Sequence, residues 1–497
     1  MKSDKLRNYY LKIFNNFNKK KIFYKYYNIT YTYRDFKEYS TKIINYIDNY
    51  CSLYKKKPII YTYSNKSFEM YASIYPILIS EAVWVPLSIN YPYEKIKNII
   101  GQIKPDIFFY DQKLEKKIIY FLKKNKIKLV NFKNIHKNKI RKINYKKIIN
   151  KINIKNTSFI YFTSGSTGEP KGIQISHKNI ISDIFSQKKH LYKNSYKQLV
   201  FGDYYDTAFS IFFDIYFPAI FFGSCISPGK NRSDIYFPIK HINYNNVNAL
   251  VCVPSTIQRI KDFNKKISLT NKINIIIITG EPFYLSLLTY IFKNFKCKKI
   301  FNCYGGTEMG NWVFYHLCKK SDVKEYSRFN LVPIGRNFSS VNYEILKKEL
   351  IVSGPMITNG YLKKKLNLNK FYFTEKNNIF YTSDLVEKYK KVLICKGRKD
   401  NMVKLRGFRI EIPEIEANIR KINYVRQCVV FHIKKSFYNN YLATVISLSK
   451  KVDELSFRKD ISNFLPAYMI PKKIILRDKL PLNSNGKIDR KSILKLL

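Results

Sequence analysis

The stretch IYFTSGSTGEPKGI, residues 160–173, decides the fold class of this chain. The residues from Ser158 to Phe162 predict a buried strand that leads directly into a loop of serine, threonine and glycine. Glycine lets successive backbone N–H groups converge on an anion, while hydroxyl groups and a lysine add donors and positive charge. We therefore predict that this loop binds an anion through its phosphate oxygens. The candidate ligands are Thr163, Ser164, Gly165, Ser166, Thr167, Gly168 and Lys171.

Two other interpretations of the loop are weaker. A Walker-type phosphate loop needs a glycine before its lysine, and Pro170 stands at that position. A flexible surface loop does not require small hydroxyl residues and glycines between a strand and a Pro-Lys-Gly sequence. The sequence YFTSGSTGEPKG closely resembles the phosphate-loop signature of the adenylate-forming (AMP-binding) superfamily. That superfamily includes acyl-CoA synthetases, luciferases and the adenylation domains of nonribosomal peptide synthetases, so the resemblance implies a ligase that uses ATP and Mg²⁺.

The composition predicts a globular protein with two or more domains, because the chain has 497 residues and is 45% hydrophobic. A net charge of +55 would ordinarily favour nucleic acid or an anionic membrane as a partner. Lysine, asparagine, isoleucine, tyrosine and phenylalanine are abundant along the whole chain, however, as A/T-rich codons would produce. We therefore expect no specific nucleic acid partner, and a polyanion-binding protein stays an alternative.

Other features of the sequence favour a cytoplasmic protein. Its eight cysteines are scattered, without a CxxC pair or a His/Cys cluster, which is typical of reduced thiols without structural zinc. The first residues contain no sustained apolar region, so no secretory signal is expected. The most apolar window, Phe209 to Ser227, contains Asp214, Pro218 and Gly223, and we interpret it as a buried helix and strand rather than a membrane span.

Buried strands that end in polar, glycine-containing turns and alternate with helices predict an α/β fold with ligands at the strand ends. Strands are expected at 59–63, 173–177, 274–279 and 299–303, and helices at 67–80 and 178–187. Segment 111–157, dense in lysine, isoleucine and asparagine, is expected to provide connections and solvated helix surface. The resemblance implies a large N-terminal domain at 1–399, with α/β sheets and a small β-barrel-like subdomain, and a small mobile α+β C-terminal domain at 400–497.

A second motif, Tyr304-Gly-Gly-Thr-Glu308, combines an aromatic ring for a purine, glycines for close approach, a hydroxyl group and a carboxylate suited to Mg²⁺. A Gly-Gly turn before a helix cap is the alternative. The motif resembles the superfamily's NxYGPTE, with Gly306 in place of proline. The resemblance implies that Tyr304 and Gly305 bind AMP, that Thr307 contacts the α-phosphate or acyl carbonyl, and that Glu308 holds the metal.

Further motifs follow at 349–416. Glu349-Leu-Ile-Val-Ser-Gly-Pro resembles a GELxIxGP hairpin in which Lys348 replaces the first glycine. Phe380-Tyr-Thr-Ser-Asp384 resembles YRTGD, which implies that Asp384 binds both ribose hydroxyls and that Ser383 replaces a glycine. Residues 397–416 resemble the junction between the two domains, with Arg398 near the ribose and phosphate and Asp400 as the hinge. Pro413 suits the first turn of the helix that follows.

The C-terminal sequence PLNSNGKIDR, residues 481–490, resembles the NGKxDR ending of the peptide-synthetase branch, which implies that Lys487 is the catalytic lysine. Because the sequence continues for seven residues beyond Arg490, we expect the protein to load the phosphopantetheine arm of a separate carrier protein in trans. The stand-alone layout resembles D-alanine–carrier protein ligases.

The substrate is expected to be a small carboxylic acid, with an amino acid favoured. Residues 207–214 can be aligned with the superfamily's TFDxSVWE motif. In this alignment Phe209 takes the place of the aspartate with which amino-acid-activating members bind the α-ammonium group, and this favours an apolar or aryl acid. A shifted alignment would bring Asp206 or Asp214 to that place. The predicted pocket comprises Phe209, Ser210, Phe213, Ile277, Thr279, Cys303, Asn311 and Trp312. An acyl- or aryl-CoA ligase and a non-catalytic AMP-binding-fold protein stay open as alternatives.

Overall fold

The computed structural model describes the chain from residue 3 to 497, with gaps at 18–19, 138–139, 166–168, 193–198, 264–268, 271, 401, 436–438 and 482–487. The predicted residues Ser166, Thr167, Gly168 and Lys487 lie outside the described residues. The chain forms two compact units. The first unit comprises the residues up to Ile89, Lys104–Tyr161 and Gly172–Gly397, and the second comprises Asn90–Ile103, Phe162–Lys171 and Arg398–Leu497. The predicted domain boundary after residue 399 stays a prediction.

The helices and strands alternate along much of the chain, as expected for an α/β protein. The helices are α1 Ser3–Asn16, α2 Tyr33–Tyr54, α3 Phe68–Ile79, α4 Tyr93–Gln102, α5 Lys116–Lys124, α6 Phe132–Ile135, α7 Tyr145–Asn150, α8 His177–His190, α9 Phe213–Phe222, α10 Arg232–Tyr236, α11 Ile239–Asn245, α12 Pro254–Phe263, α13 Leu285–Asn294, α14 Asp322–Glu325, α15 Ile412–Ile419, α16 Glu454–Ile461 and α17 Arg490–Leu494.

The strands are β1 Ile22–Tyr26, β2 Ile29–Thr32, β3 Ile59–Tyr63, β4 Val83–Leu87, β5 Ile107–Tyr110, β6 Lys128–Asn131, β7 Thr157–Thr163, β8 Lys171–Ser176, β9 Val200–Asp203, β10 Cys225–Pro228, β11 Ala249–Cys252, β12 Ile273–Thr279, β13 Cys297–Gly306, β14 Asn311–Leu317, β15 Arg336–Asn337, β16 Asn342–Leu346, β17 Glu349–Gly354, β18 Phe371–Phe373, β19 Asn378–Tyr389, β20 Val392–Arg398, β21 Met402–Leu405, β22 Phe408–Glu411, β23 Val425–Lys434, β24 Asn440–Leu448 and β25 Lys473–Arg477. The predicted strands and helices are confirmed, with shifted ends.

Two large sheets form the centre of the first unit. Among the described residues, one has nine strands in the order β15-β14-β13-β12-β11-β9-β10-β1-β2, and the other has six in the order β6-β5-β3-β4-β7-β8. The strands β9 to β13 pair in parallel, whereas β14 runs antiparallel to β13. The isoleucine run in β12 is buried, as is typical of a central parallel strand. The predicted α/β fold class is therefore confirmed.

A continuous apolar core joins the two sheets through the helices between them. Trp84 on β4 lies against Phe212, just before α9, with ring centroids 6.1 Å apart, and Phe159 on β7 lies 5.6 Å from Phe213. The apolar window that begins at Phe209 is thus a core helix and strand, as predicted. The helices of the described residues are too short or too polar to cross a membrane.

Segment 111–157 corrects one expectation. Its strand β6 pairs with β5 at the edge of the six-stranded sheet, and Phe132, Ile135 and Ile149 lie in the core. The segment is therefore a structural part of the sheet layer and not only connection and solvated surface.

Smaller sheets complete the two units. In the first unit, β16, β17, β19 and β18 form an antiparallel sheet that β20 joins by pairing with β19. In the second unit, β21 and β22 form a hairpin, and β23, β24 and β25 form a sheet whose core includes α15 and α16. Pro413 lies in the first turn of α15, as expected.

Candidate active site

The second motif lies at the end of a hairpin between β13 and β14. Gly305 pairs with Trp312 and Gly306 with Asn311, and a bulge separates Tyr304 from Gly305. A Cβ atom at Gly305 would overlap the carbonyl oxygen of Asn311, so only glycine fits there. The two glycines therefore belong to a strand, and a single 3-10 turn at 307–309 follows it instead of the Gly-Gly turn considered from the sequence.

Tyr304 and Asp384 meet in the buried part of the first unit. The hydroxyl group of Tyr304 donates a hydrogen bond to Oδ2 of Asp384 at 2.5 Å. Burial, and then the negative charge of Asp384, raise the pKa of Tyr304 well above its usual value, so the phenol stays a proton donor. Two residues predicted to bind AMP from separate motifs are therefore brought into direct contact.

Glu308 is held by hydrogen bonds to both its side chain and its main chain. Its Oε1 accepts a hydrogen bond from the hydroxyl group of Tyr361 at 2.9 Å, and its carbonyl oxygen accepts one from the hydroxyl group of Thr358 at 2.9 Å. Its residue surface is 1% exposed, and the neighbouring Thr307 is also buried. Because Mg²⁺ is commonly held by one or two carboxylates together with substrate phosphates, this hard oxygen donor fits such an ion. Among the described residues, no three His, Cys, Asp or Glu side chains gather to hold a metal by themselves.

The backbone next to Asp384 explains why the related motif has a glycine. Ser383 adopts φ of +61°, a left-handed conformation that is costly for a residue with a side chain. Its N–H group donates to Oε1 of Glu349 at 2.8 Å, and its hydroxyl group contacts Lys370. The substitution of glycine by serine is thus accommodated, and the position of Asp384 in the strand is kept.

The predicted pocket residues differ in their burial and in the strands and helices that carry them. Thr279 on β12 lies beside Cys303 on β13. The hydroxyl oxygen of Thr279 accepts a hydrogen bond from the indole N–H of Trp312 at 2.9 Å. Phe213 and Ile277 are part of the apolar core, whereas Phe209 and Ser210 are half-buried at the start of a short 3-10 turn. Which of these side chains contact the substrate stays a prediction.

Behind Asn311 lies a buried polar cluster that the motifs do not reveal. The amide nitrogen of Asn311 donates to Asp214, and that of Gln187 donates to Asp183 at 2.8 Å and to Asp214 at 3.3 Å. Burial raises the pKa of both aspartates, and the charge of Asp183 raises that of Asp214 further. The sequence points only to Asp214 and Asn311, because the spacing of Asp183 and Gln187 indicates no more than a shared helix face.

The described residues of the predicted phosphate loop belong to the second unit. The N–H group of Gly165 donates to Oε2 of Glu414 at 3.0 Å, and the hydroxyl group of Ser164 donates to the carbonyl oxygen of Arg409 at 2.8 Å. A Cβ atom at Gly165 would overlap the carbonyl oxygen of Glu169, which explains the glycine. The hydroxyl group of Thr163 lies 3.5 Å from the carbonyl oxygen of Lys171.

Arg398 and Asp400 bind each other within the second unit. Nε and Nη2 of Arg398 donate to the two carboxylate oxygens of Asp400 at 2.7 and 2.6 Å. This is the bidentate geometry that favours an Arg–carboxylate pair. The predicted roles of Arg398 at the nucleotide and of Asp400 as a hinge stay predictions.

The parallel α/β sheets, and the strand that leads into the predicted phosphate loop, agree with the expectation of an adenylate-forming ligase. The chain belongs to the AMP-binding enzyme family, whose sequence model matches residues 14–362.

Known relatives include a mycosubtilin synthase chain from Bacillus subtilis, which is 27% identical over 454 residues. The match covers 86% of this chain but only 16% of that much longer protein. The D-alanine–D-alanyl carrier protein ligase of Listeria monocytogenes is 27% identical over 503 residues, and the match covers 95% of each chain.

Two solved structures have the same fold. An adenylation domain from Vibrio cholerae, in complex with glycyl-adenosine-5'-phosphate, gives a TM-score of 0.80 at 20% identity over 100% of this chain and 98% of that one. The o-succinylbenzoate CoA synthetase of Bacillus subtilis gives a TM-score of 0.80 at 17% identity over 97% of this chain and 98% of that one. At these identities the likeness concerns the fold alone.

Proposed function

We propose that the protein activates a small carboxylic acid, with an amino acid favoured, and then transfers the acyl group to the phosphopantetheine thiol of a separate carrier protein. The contact between Tyr304 and Asp384 carries the nucleotide part of this proposal, since it presents an oriented carboxylate for a ribose. The similarity to a D-alanine–carrier protein ligase along 95% of both chains supports the acyl-transfer part. We expect the reaction to take place in the cytoplasm.

In the first half-reaction, an oxygen of the substrate carboxylate attacks the α-phosphorus of ATP, the bond to the bridging oxygen breaks, and pyrophosphate leaves. Positioning and charge neutralisation supply most of the rate in such phosphorus chemistry. Glu308 would hold Mg²⁺, which when bound neutralises charge on the phosphates. Thr307 would contact the α-phosphate or the acyl carbonyl, and Lys487 would stabilise the charge on their oxygens.

In the second half-reaction, the thiol sulfur attacks the acyl carbon of the adenylate, the bond to the phosphate oxygen breaks, and AMP leaves with that oxygen. The sulfur becomes part of a thioester, and the thiol proton is released to the solvent. The shared fold of carrier-protein-loading and CoA-dependent enzymes leaves free CoA as the alternative acceptor. Comparing rates with CoA and with a phosphopantetheinylated carrier protein decides between the two acceptors.

The proposal is tested by ATP–pyrophosphate exchange with a panel of amino, hydroxy, aryl and fatty acids. We expect exchange with one class of acid, and we expect Lys487→Ala to lose it while ATP binding is kept. Lys495→Ala, an exposed lysine of the same unit, is the matched control. ATP binding without exchange on any acid would favour a non-catalytic AMP-binding-fold protein and would contradict the proposal.

A further inference from the structure

A carboxylate from helix α15 is hydrogen-bonded to the predicted phosphate loop. Glu414, in the first turn of α15, accepts the N–H group of Gly165 through Oε2 at 3.0 Å. Its other oxygen, Oε1, lies 3.3 Å from Nζ of Lys95 on α4. All three residues belong to the second unit, and Lys95 and Glu414 are only 6% and 2% exposed.

The ion pair between Lys95 and Glu414 is buried within the unit, unlike a pair of exposed side chains at the surface. Two described residues of the same segment also make hydrogen bonds within the unit: Ser164 donates to the carbonyl oxygen of Arg409, and the carbonyl oxygen of Pro170 accepts from the amide of Gln102 at 2.7 Å. Burial raises the pKa of Glu414, while Lys95 and the N–H group of Gly165 act in the opposite direction. A buried carboxylate needs such partners to stay ionised.

A phosphate group and a carboxylate present the same kind of acceptor to a backbone N–H group. The glycine-containing loop is expected to bind phosphate through donors of this kind, and one N–H group satisfies one strong acceptor at a time. Phosphate oxygens can therefore use Gly165 only after Glu414 has released it.

We propose that Glu414 is a positioning residue that competes with the nucleotide's phosphates for the N–H group of Gly165, and that Lys95 holds it in place. The carboxylate holds the N–H group of Gly165 in the ligand-free protein, leaves it when phosphates bind, and returns to it when pyrophosphate departs. Its presence weakens phosphate binding and helps pyrophosphate to leave. This inference rests on the proposed phosphate-binding role of the loop.

The test measures binding of Mg²⁺-pyrophosphate and of adenosine to the full-length protein by calorimetry. Glu414→Gln removes the charge but keeps the shape, so pyrophosphate should bind about tenfold more tightly, the difference between a charge-assisted and a neutral hydrogen bond. Adenosine carries no phosphate, and its affinity should not change. The exposed Glu454→Gln of the same unit is the matched control and should behave as the wild type.

Because Glu414→Gln leaves Lys95 buried without its charged partner, a second variant replaces both charges, as Lys95→Met with Glu414→Leu. It should show the same gain for pyrophosphate, and thermal unfolding verifies that both variants are folded. Unchanged or weaker pyrophosphate binding in folded variants overturns the inference, and so does an equal gain for adenosine. If the wild type binds adenosine but no pyrophosphate, the proposed role of the loop itself fails.

Discussion

The hydroxyl group of Tyr304 donates a hydrogen bond to Oδ2 of Asp384 at 2.5 Å, and this bond joins two motifs that are 80 positions apart in the chain. Both side chains are buried, and the main-chain N–H group of Asp384 is held by the hydroxyl oxygen of Thr382 at 3.0 Å. The carboxylate that we propose as the ribose ligand is thus already oriented in the ligand-free protein. Preorganisation of this kind reduces the entropy that binding costs.

Removing the phenol hydroxyl should weaken nucleoside binding. Tyr304→Phe leaves Asp384 without a charge-assisted hydrogen bond, and we expect the affinity for adenosine to fall about tenfold. Calorimetry with adenosine measures this directly. Tyr372→Phe, at a tyrosine that is 48% exposed, is the control, and equal affinities for all three proteins would contradict the role assigned to the bond.

Replacing Glu308 should lower the rate of pyrophosphate exchange more than the affinity for adenosine. Replacing it with glutamine removes the carboxylate charge proposed for Mg²⁺, and the rate of pyrophosphate exchange should fall by about 10²–10³ while adenosine affinity is kept. Tyr361→Phe, which removes only the hydrogen bond to Oε1, should cause a smaller loss. Exchange by Glu308→Gln at the wild-type rate and the wild-type Mg²⁺ requirement would rule out the metal role.

The parts of the fold that can be predicted from the sequence are those that local patterns determine. The isoleucine run of β12 and the serine cap of α3 specify their elements through neighbouring residues alone. The expectation for segment 111–157 is incomplete: it describes the largely exposed helix α5 but misses the edge strand β6, because lysine and asparagine surround the isoleucines and hide the buried positions. Only the pairing of β6 with β5 reveals its role in the sheet.

The candidate site is predictable where a motif is continuous and unpredictable where contacts join distant residues. Tyr304, Glu308 and Asp384 stand in recognisable motifs. The contact between Glu414 and Gly165 joins positions 249 apart, and the bridge from Gln187 to Asp214 depends on how α8 packs against α9. No spacing in the sequence encodes such contacts.

The hairpin between β16 and β17 should be stabilised by a glycine. Leu346 pairs with Glu349, so Lys347 and Lys348 form a two-residue loop with φ of +48° and +69°. Such a turn favours glycine, and a left-handed conformation costs other residues about 1–2 kcal/mol. Lys348→Gly should therefore raise the free energy of unfolding by about 1 kcal/mol in urea denaturation. The exposed Lys376→Gly is the control, and a gain there as well would show that the turn is not the cause.

The buried aspartates should make stability depend on pH. Burial raises the pKa of Asp183, so the folded protein keeps a proton that the unfolded chain releases at about pH 4. The stability that this bound proton contributes is fully present below about pH 4 and is lost as pH rises toward the pKa of Asp183 in the folded protein.

Asp183→Asn is neutral at every pH and should avoid this loss. Its advantage in free energy of unfolding over the wild type should grow as pH rises above about 4, the ordinary pKa of an aspartate, by at most about 1.4 kcal/mol per pH unit. The exposed Asp478→Asn should show no such growth. A constant difference for Asp183→Asn across that range would show that the carboxyl group is ionised in the folded protein.

Phe209 decides whether an α-ammonium group has an anchor at the aligned position. The two aspartates that a shifted alignment would offer already serve other donors. Asp206 accepts the N–H group of Ala208 at 3.0 Å and the hydroxyl group of Ser88, and Asp214 accepts the amide of Asn311. Phe209→Asp should therefore raise pyrophosphate exchange with alanine relative to propionate by about 10–100-fold, through a new charge-assisted hydrogen bond. Phe209→Asn has nearly the same shape without the charge and should give a much smaller change. If the wild type already prefers alanine strongly and Phe209→Asp does not increase that preference, the ammonium anchor lies elsewhere and the alignment at Phe209 is wrong.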